Sequence, residues 1–212
     1  MDFCQQHRIE MKGHVLVYAQ CMPEWAPKEP VQYMQRLERR IDEIATRYGN
    51  SIKYWDLVNE AMTRPTYPQC PLPNDFIFKS LEYAAKRYPE NRILMVNEAT
   101  EESWNWYRGP SSPYYLVLND LLKRGARIDA IGMQMHIMAD RCWRATKAGL
   151  LYSPVGMFNV IDLYSKLGRP IQVSEITVPV LPKNLEGERD QAVVVRNFYR
   201  LWFSSASVEA IT

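Results

Sequence analysis

Five apolar runs in this 212-residue chain end on or beside polar side chains: Gln20, Glu60, Glu98, His136 and Glu175. The steps between them are 40, 38, 38 and 39 residues. Spacing that regular constrains the fold, because each interval holds one strand, one helix and two short connections. Two of the runs that end on glutamates are Tyr54-Trp55-Asp56-Leu57-Val58-Asn59-Glu60 and Ile171-Gln172-Val173-Ser174-Glu175. Glutamate is depleted in strands and costly to bury, so its repeated use at these points suggests a paired-carboxylate site.

The intervals read as helices. Residues 14–19 form a buried strand, and residues 31–48 an amphipathic helix with Val31, Met34, Leu37, Ile41, Ile44, Ala45 and Tyr48 on one stripe. Pro30 precedes that helix and Gly49-Asn50 stops it. Strand 52–58 follows, then a helix over about 75–88, capped by Asn74 and ended before Pro89. Strand 93–97, a helix over about 114–124 ending near Gly125, and strand 128–135 come next. A helix over about 154–167 ends at Gly168; strand 170–174, a helix over about 187–203 and the start of a strand at Val208-Glu209-Ala210-Ile211 complete the pattern.

Apolar strands alternating with helices indicate a parallel sheet with helical crossovers. A doubly wound sheet gathers its ligand groups at one switch point, whereas a (β/α)₈ barrel carries them at the C-terminal ends of several strands. Polar residues at five successive strand ends therefore favour the barrel. The count falls short: five complete strands and part of a sixth, where a closed barrel has eight and about 250 residues. The expectation is an α/β fold, an incomplete (β/α)₈ TIM barrel of about six strands in one partial domain over residues 1–212, missing strands at both ends. Its open edges predict poor stability and little activity for the piece alone.

Composition narrows the function classes. A net charge of +2, from 26 basic and 24 acidic side chains without a basic run, gives no footing for a nucleic-acid partner. No apolar run reaches the ~18 residues of a membrane span, and the opening Met1-Asp2-Phe3-Cys4-Gln5-Gln6-His7 has no signal-like apolar core. Cys4, Cys21, Cys70 and Cys142 match no metal or redox spacing, and their disulfide state is left open. Aromatic residues make up 12% of the chain, and Trp25, Trp104, Trp106 and Trp143 fall in segments after strands, where indoles either stack on sugar rings or anchor loops.

Glu60 and Glu175 lie three βα units apart, which in a barrel places them across its mouth. Two carboxylates about 5–5.5 Å apart perform retaining glycoside hydrolysis. Asn59, beside Glu60, has an amide suited to a sugar hydroxyl. Gln134 and His136 alternate on one face of their strand, where His136 can orient a carboxylate. Asn97-Glu98 repeats the Asn-Glu pair, and position alone separates Glu60 from Glu98 only slightly. A metal site built from His14, His136 and the two glutamates is the rival reading, without H-x-H spacing to support it.

At these residues the chain resembles glycoside hydrolase family 10, the endo-β-1,4-xylanases. The matching segments are Gly13-His14-Val15-Leu16-Val17-Tyr18 with Gln20 and Pro23-Glu24-Trp25, then Trp55-Asp56-Leu57-Val58-Asn59-Glu60-Ala61, Asn97-Glu98, Gly132-Met133-Gln134-Met135-His136, and Val173-Ser174-Glu175. The resemblance implies that Glu60 is the general acid/base and Glu175 the nucleophile of a retaining endo-β-1,4-glycanase acting on xylan. His14, Tyr18, Gln20, Asn59, Gln134 and His136 are the implied substrate-binding residues. It implies no metal or organic cofactor, a polysaccharide partner, a monomer at full length and an extracellular location. Another retaining β-glycosidase of the same barrel clan, or a carbohydrate-binding homologue without catalysis, remains an alternative. The chain departs from the family where Trp-His becomes Tyr18-Ala19, where Tyr-Asn becomes Ala99-Thr100, and where an Asp that partners the His136 position becomes Thr177.

Overall fold

The computed structural model describes residues 1–63 and 71–212. The elements alternate as the spacing requires. They are α1 (Asp2–Gln6), β1 (Lys12–Tyr18), α2 (Pro30–Tyr48), β2 (Tyr54–Asn59), α3 (Phe76–Ala85) and β3 (Ile93–Glu98). A π-helical turn (Glu101–Asn105), α4 (Pro113–Lys123), β4 (Ala130–His136), α5 (Asp140–Lys147) and α6 (Pro154–Ser165) follow. The chain then continues through β5 (Ile171–Thr177), α7 (Leu185–Phe203) and β6 (Val208–Ile211). This is the strand–helix alternation of an incomplete (β/α)₈ barrel. It divides into two compact units, one of Met1–Glu98 with Asn119–Ile131, the other of Ala99–Leu118 with Gly132–Thr212.

In the first unit the strand order is β1-β2-β3 and then the beginning of β4. β1 and β2 are parallel, with Gly13 opposite Trp55 and His14 opposite Asp56, and β2 and β3 are parallel with Asn59 opposite Asn97. The register slips between His14 and Val17 on β1 and between Asp56 and Val58 on β2, an extra residue each time. Glycine is required at position 13, since a Cβ there would stand 2.4 Å from the Trp55 ring. Trp55 is buried and packs against Tyr88 with the ring planes tilted by 59° and the centroids 5.4 Å apart. Leu57, Val58, Leu94, Met95 and Val96 exclude water from the sheet.

α2 covers this sheet with Tyr33, Met34, Leu37 and Ile41. Val31, expected on the same stripe, is exposed; Tyr33 takes the buried place in the first turn. Tyr83 and Arg87, from α3 and the turn after it, reach Asp42 of α2 at 2.8 and 2.5 Å. The Tyr83 phenol first, then the Arg87 guanidinium, hold the Asp42 carboxyl below its usual range. α3 begins one residue later than its sequence signal: Asp75 is the N-cap, and the Phe76 amide is taken by the Pro73 carbonyl at 3.1 Å.

In the second unit the rest of β4 is followed by β5 and β6. The Ile137 amide donates to the Thr177 carbonyl at 2.8 Å, and β5 and β6 are parallel, with Ile171 opposite Val208. The core here is aromatic: Tyr114, Trp143, Tyr164 and Trp202 are all fully buried. Gly168, at φ +67°, supplies the left-handed residue after α6 that a Cβ would strain. Two elements here, the π-helical turn and α5, go beyond the alternation that the sequence periodicity predicts. α5 is short, with Trp143 as its one buried residue, so it shows no repeating stripe.

Among the described residues no helix is long and apolar enough to cross a membrane. Cys4, Cys21 and Cys142 are free thiols, and Cys70 lies outside the described residues.

Candidate active site

The strand ends of the first unit assemble around Glu60. This residue sits one position past β2 with φ +48°, a left-handed backbone that a non-glycine residue rarely adopts. Its amide still bonds to the Asn97 carbonyl at 2.9 Å, so the chain turns out of the sheet at Glu60 itself. Oε2 of the half-buried carboxylate accepts from the Tyr18 phenol and from Nε2 of Gln20, both at 2.8 Å. Gln20 also donates to Oγ1 of Thr63 at 2.9 Å, tying β1 to the turn after β2.

Asn59 is buried, and its Oδ1 accepts from Nδ2 of Asn97 at 2.7 Å. Glu98 is only 1% exposed, and its Oε1 accepts the Met62 amide at 3.1 Å. Of the two Asn-Glu pairs, one therefore presents its carboxylate and the other buries it.

His14 stands on β1 opposite Asp56, with Nδ1 at 2.9 Å from Oδ2 of that carboxylate. Asp56 is fully buried, and Nζ of Lys12 lies 3.0 Å from the same oxygen. The ammonium and the imidazole together compensate a charge that would otherwise be expensive to bury. With a lysine already on that oxygen, the His14–Asp56 pair is poorly suited to a metal ion. His14 and Tyr18 also line a groove of about 320 Å³, with Cys21, Trp25 and Arg36 further along it. Trp25 is 69% exposed, and the Arg36 guanidinium sits 5.5 Å above its ring centroid.

In the second unit the grouping centres on Glu175, which lies inside β5, two residues before its end at Thr177. Oε2 of Glu175 is 3.4 Å from Nε2 of His136, the last residue of β4. Nδ1 of the same ring is 2.8 Å from Oγ1 of Thr177. Thr100 fixes the end of β4 from below: its Oγ1 accepts the His136 amide at 2.7 Å and donates to the Gln134 carbonyl at 3.2 Å. The Trp104 indole donates to that same carbonyl at 2.9 Å. Gln134 is buried, and His136 and Glu175 are partly exposed.

The tryptophans divide by environment. Trp104 and Trp143 are buried, with their N–H groups on the Gln134 and Leu181 carbonyls, so they anchor the chain and are not open to a sugar ring. Trp25 and Trp106 are exposed. Asp56, Lys12 and Thr100 join these groupings without being expected there as site residues. An aspartate inside the run Trp55-Asp56-Leu57 was a visible signal, but its partner His14 is 42 residues away and emerges only from the strand pairing.

Comparison with known proteins adds an independent line. The sequence profile described as glycosyl hydrolase family 10 matches residues 1–212. Endo-1,4-beta-xylanase 2 of Aureobasidium pullulans is 25% identical over 201 residues, covering 89% of this chain and 55% of the relative. Endo-1,4-beta-xylanase A of Caldicellulosiruptor saccharolyticus is 28% identical over 200 residues, covering 84% of this chain and 52% of the relative. The chain thus spans about half the length of these two relatives. Among solved structures, xylanase 10B from Thermotoga petrophila in complex with xylobiose is similar in fold, with a TM-score of 0.81 at 23% identity, over 99% of this chain and 63% of that one.

Proposed function

Because the chain belongs to glycosyl hydrolase family 10, we propose that it is catalytic-domain sequence, over residues 1–212, of a retaining endo-β-1,4-glycanase acting on xylan. The observation that carries the role assignment is the contrast among the strand-end carboxylates. Glu60 and Glu175 are half-exposed and held by side-chain donors or an imidazole, whereas Glu98 is buried on a backbone amide. Glu60 is the acid/base: it gives a proton to the glycosidic oxygen as the bond breaks, and later takes one from the attacking water. Glu175 is the nucleophile: its carboxylate oxygen bonds to the anomeric carbon to form a glycosyl-enzyme, which that water then hydrolyses. What pairs the two residues in one reaction is the family. The chemistry proposed needs no metal or organic cofactor.

The substrate follows from the relatives, whose names are those of xylanases, and from the xylobiose bound in one similar structure. By membership of the family, His14, Tyr18, Gln20 and Asn59 of the first unit and Gln134 and His136 of the second are the residues proposed to bind the sugar. An extracellular location and a monomeric state are part of the same proposal.

The test is nucleophile rescue. In the full-length enzyme, Glu175→Ala should abolish turnover of an aryl β-xylobioside, and added azide should restore release of the aryl group with an α-glycosyl azide as product. A variant that azide does not rescue to that α-anomer removes Glu175 from the nucleophile's role. The xylan reading fails if cello-oligosaccharides are cleaved faster than xylo-oligosaccharides by the unaltered protein.

A further inference from the structure

The two histidines that stand beside carboxylates in this chain are held in opposite ways. At His14 the partner of Nδ1 is the Asp56 carboxylate, which can only accept, so Nδ1 carries the proton. At His136 the partner of Nδ1 is the hydroxyl of Thr177, at 2.8 Å, which can either donate or accept. For a neutral ring, the other nitrogen of His136 decides between them. Nε2 lies 3.4 Å from Oε2 of Glu175. If the Thr177 hydroxyl accepted, a neutral ring would turn the Nε2 lone pair toward a carboxylate oxygen, and the two would repel. If the hydroxyl donates, Nδ1 is the acceptor and Nε2–H points at the carboxylate.

We propose that Thr177 is a positioning residue that donates its hydroxyl proton to Nδ1 of His136, fixing the ring as the neutral Nε2–H tautomer aimed at Glu175. Glu175 and Thr177 are two apart on β5 and so share a face, with His136 closing the arrangement from the end of β4. The backbone supports it: the His136 amide is held by Thr100, and the Ile137 amide by the Thr177 carbonyl, so the ring and the hydroxyl are both anchored within a residue of their contact. A carboxylate in place of the hydroxyl would accept only, and would draw the proton to Nδ1. Thr177 therefore sets a neutral donor beside Glu175. That the donor serves a nucleophile rests on the function proposed above; the tautomer itself does not.

The test separates the two. The chain has 3 histidines, so ring-¹⁵N labelling with His7→Gln and His14→Asn variants assigns every signal. At about pH 8, above the ordinary imidazole range, His136 should show a pyridine-like Nδ1 and a protonated Nε2, and His14 the reverse. Thr177→Ser should keep the His136 pattern, Thr177→Val should lose the single tautomer, and Thr177→Asp should protonate Nδ1. In turnover, Thr177→Val should lower kcat roughly threefold to tenfold with little change in KM, and Thr177→Ser should restore it. A protonated Nδ1 on His136 in the unaltered protein, or a Thr177→Val spectrum identical to it, overturns the proposal. Failure of azide rescue at Glu175 with the His136 tautomer as stated would instead overturn the nucleophile assignment alone.

Discussion

The dipeptide Asn-Glu closes two neighbouring strands of the first unit, and the two copies have opposite environments. Asn59 and Asn97 are register partners, and their side chains bond to each other at 2.7 Å. The glutamates that follow diverge. Glu98 stays in the strand, 1% exposed, with its carboxylate on the Met62 amide. Glu60 leaves the strand at φ +48°, half-buried, with its carboxylate under the Tyr18 phenol and the Gln20 amide. The backbone conformation makes the difference, because a residue that turns out of the ladder carries its side chain to the surface and one that continues along it does not. The two are also linked, since Met62, which Glu98 holds, lies in the turn that Glu60 begins. The buried carboxylate helps build the seat of the exposed one.

That contrast predicts a double dissociation, and its largest effect falls on Glu60. Glu60→Gln should lower turnover of unactivated xylo-oligosaccharides by about 10²- to 10⁴-fold, the usual range for losing a general acid/base. Its urea midpoint should move little, because the amide keeps the shape and accepts from the same donors. Glu98→Ala should do the reverse. Losing a buried acceptor and leaving the Met62 amide unsatisfied costs about 1–3 kcal/mol of stability, read in urea unfolding, with residual activity in the folded fraction. If Glu98→Ala folds normally and is inactive while Glu60→Gln remains active, the two glutamates have been assigned the wrong way round.

The sequence carried the architecture better than it carried this distinction. Apolar runs and helical stripes recur over the whole chain, so the alternation of strand and helix was legible from periodicity, with boundaries off by one to three residues at most ends, as at β1 and β5. The π-helical turn and α5 were not legible, since neither is long enough to repeat an apolar face; α5 buries a single residue, Trp143. The residues that surround each glutamate lie about one strand–helix interval away, such as Tyr18 from Glu60 or His136 from Glu175. Such contacts depend on strand register and on bulges, which one sequence does not display. Asn-Glu and Asn-Glu are identical as text; what separates them is a φ angle at Glu60 and the burial of Glu98.

The smallest effect tests whether the donors on Glu60 matter beyond its exposure. Tyr18→Phe removes the phenol hydroxyl and keeps the ring that lines the groove beside His14. One hydrogen bond is worth about 0.5–1.5 kcal/mol net, so kcat/KM should fall by roughly two- to tenfold with the fold intact. Gln20→Ala should cost a similar amount through the other donor, and both act on the same oxygen, Oε2. Groups that share one acceptor are coupled, so the double variant should differ from the sum of the singles. Non-additivity in kcat/KM identifies the pair as one holder of the carboxylate. Simple additivity, or no effect of Tyr18→Phe, would reduce the difference between Glu60 and Glu98 to burial and backbone conformation, with the phenol a neighbour of the acid/base and no more.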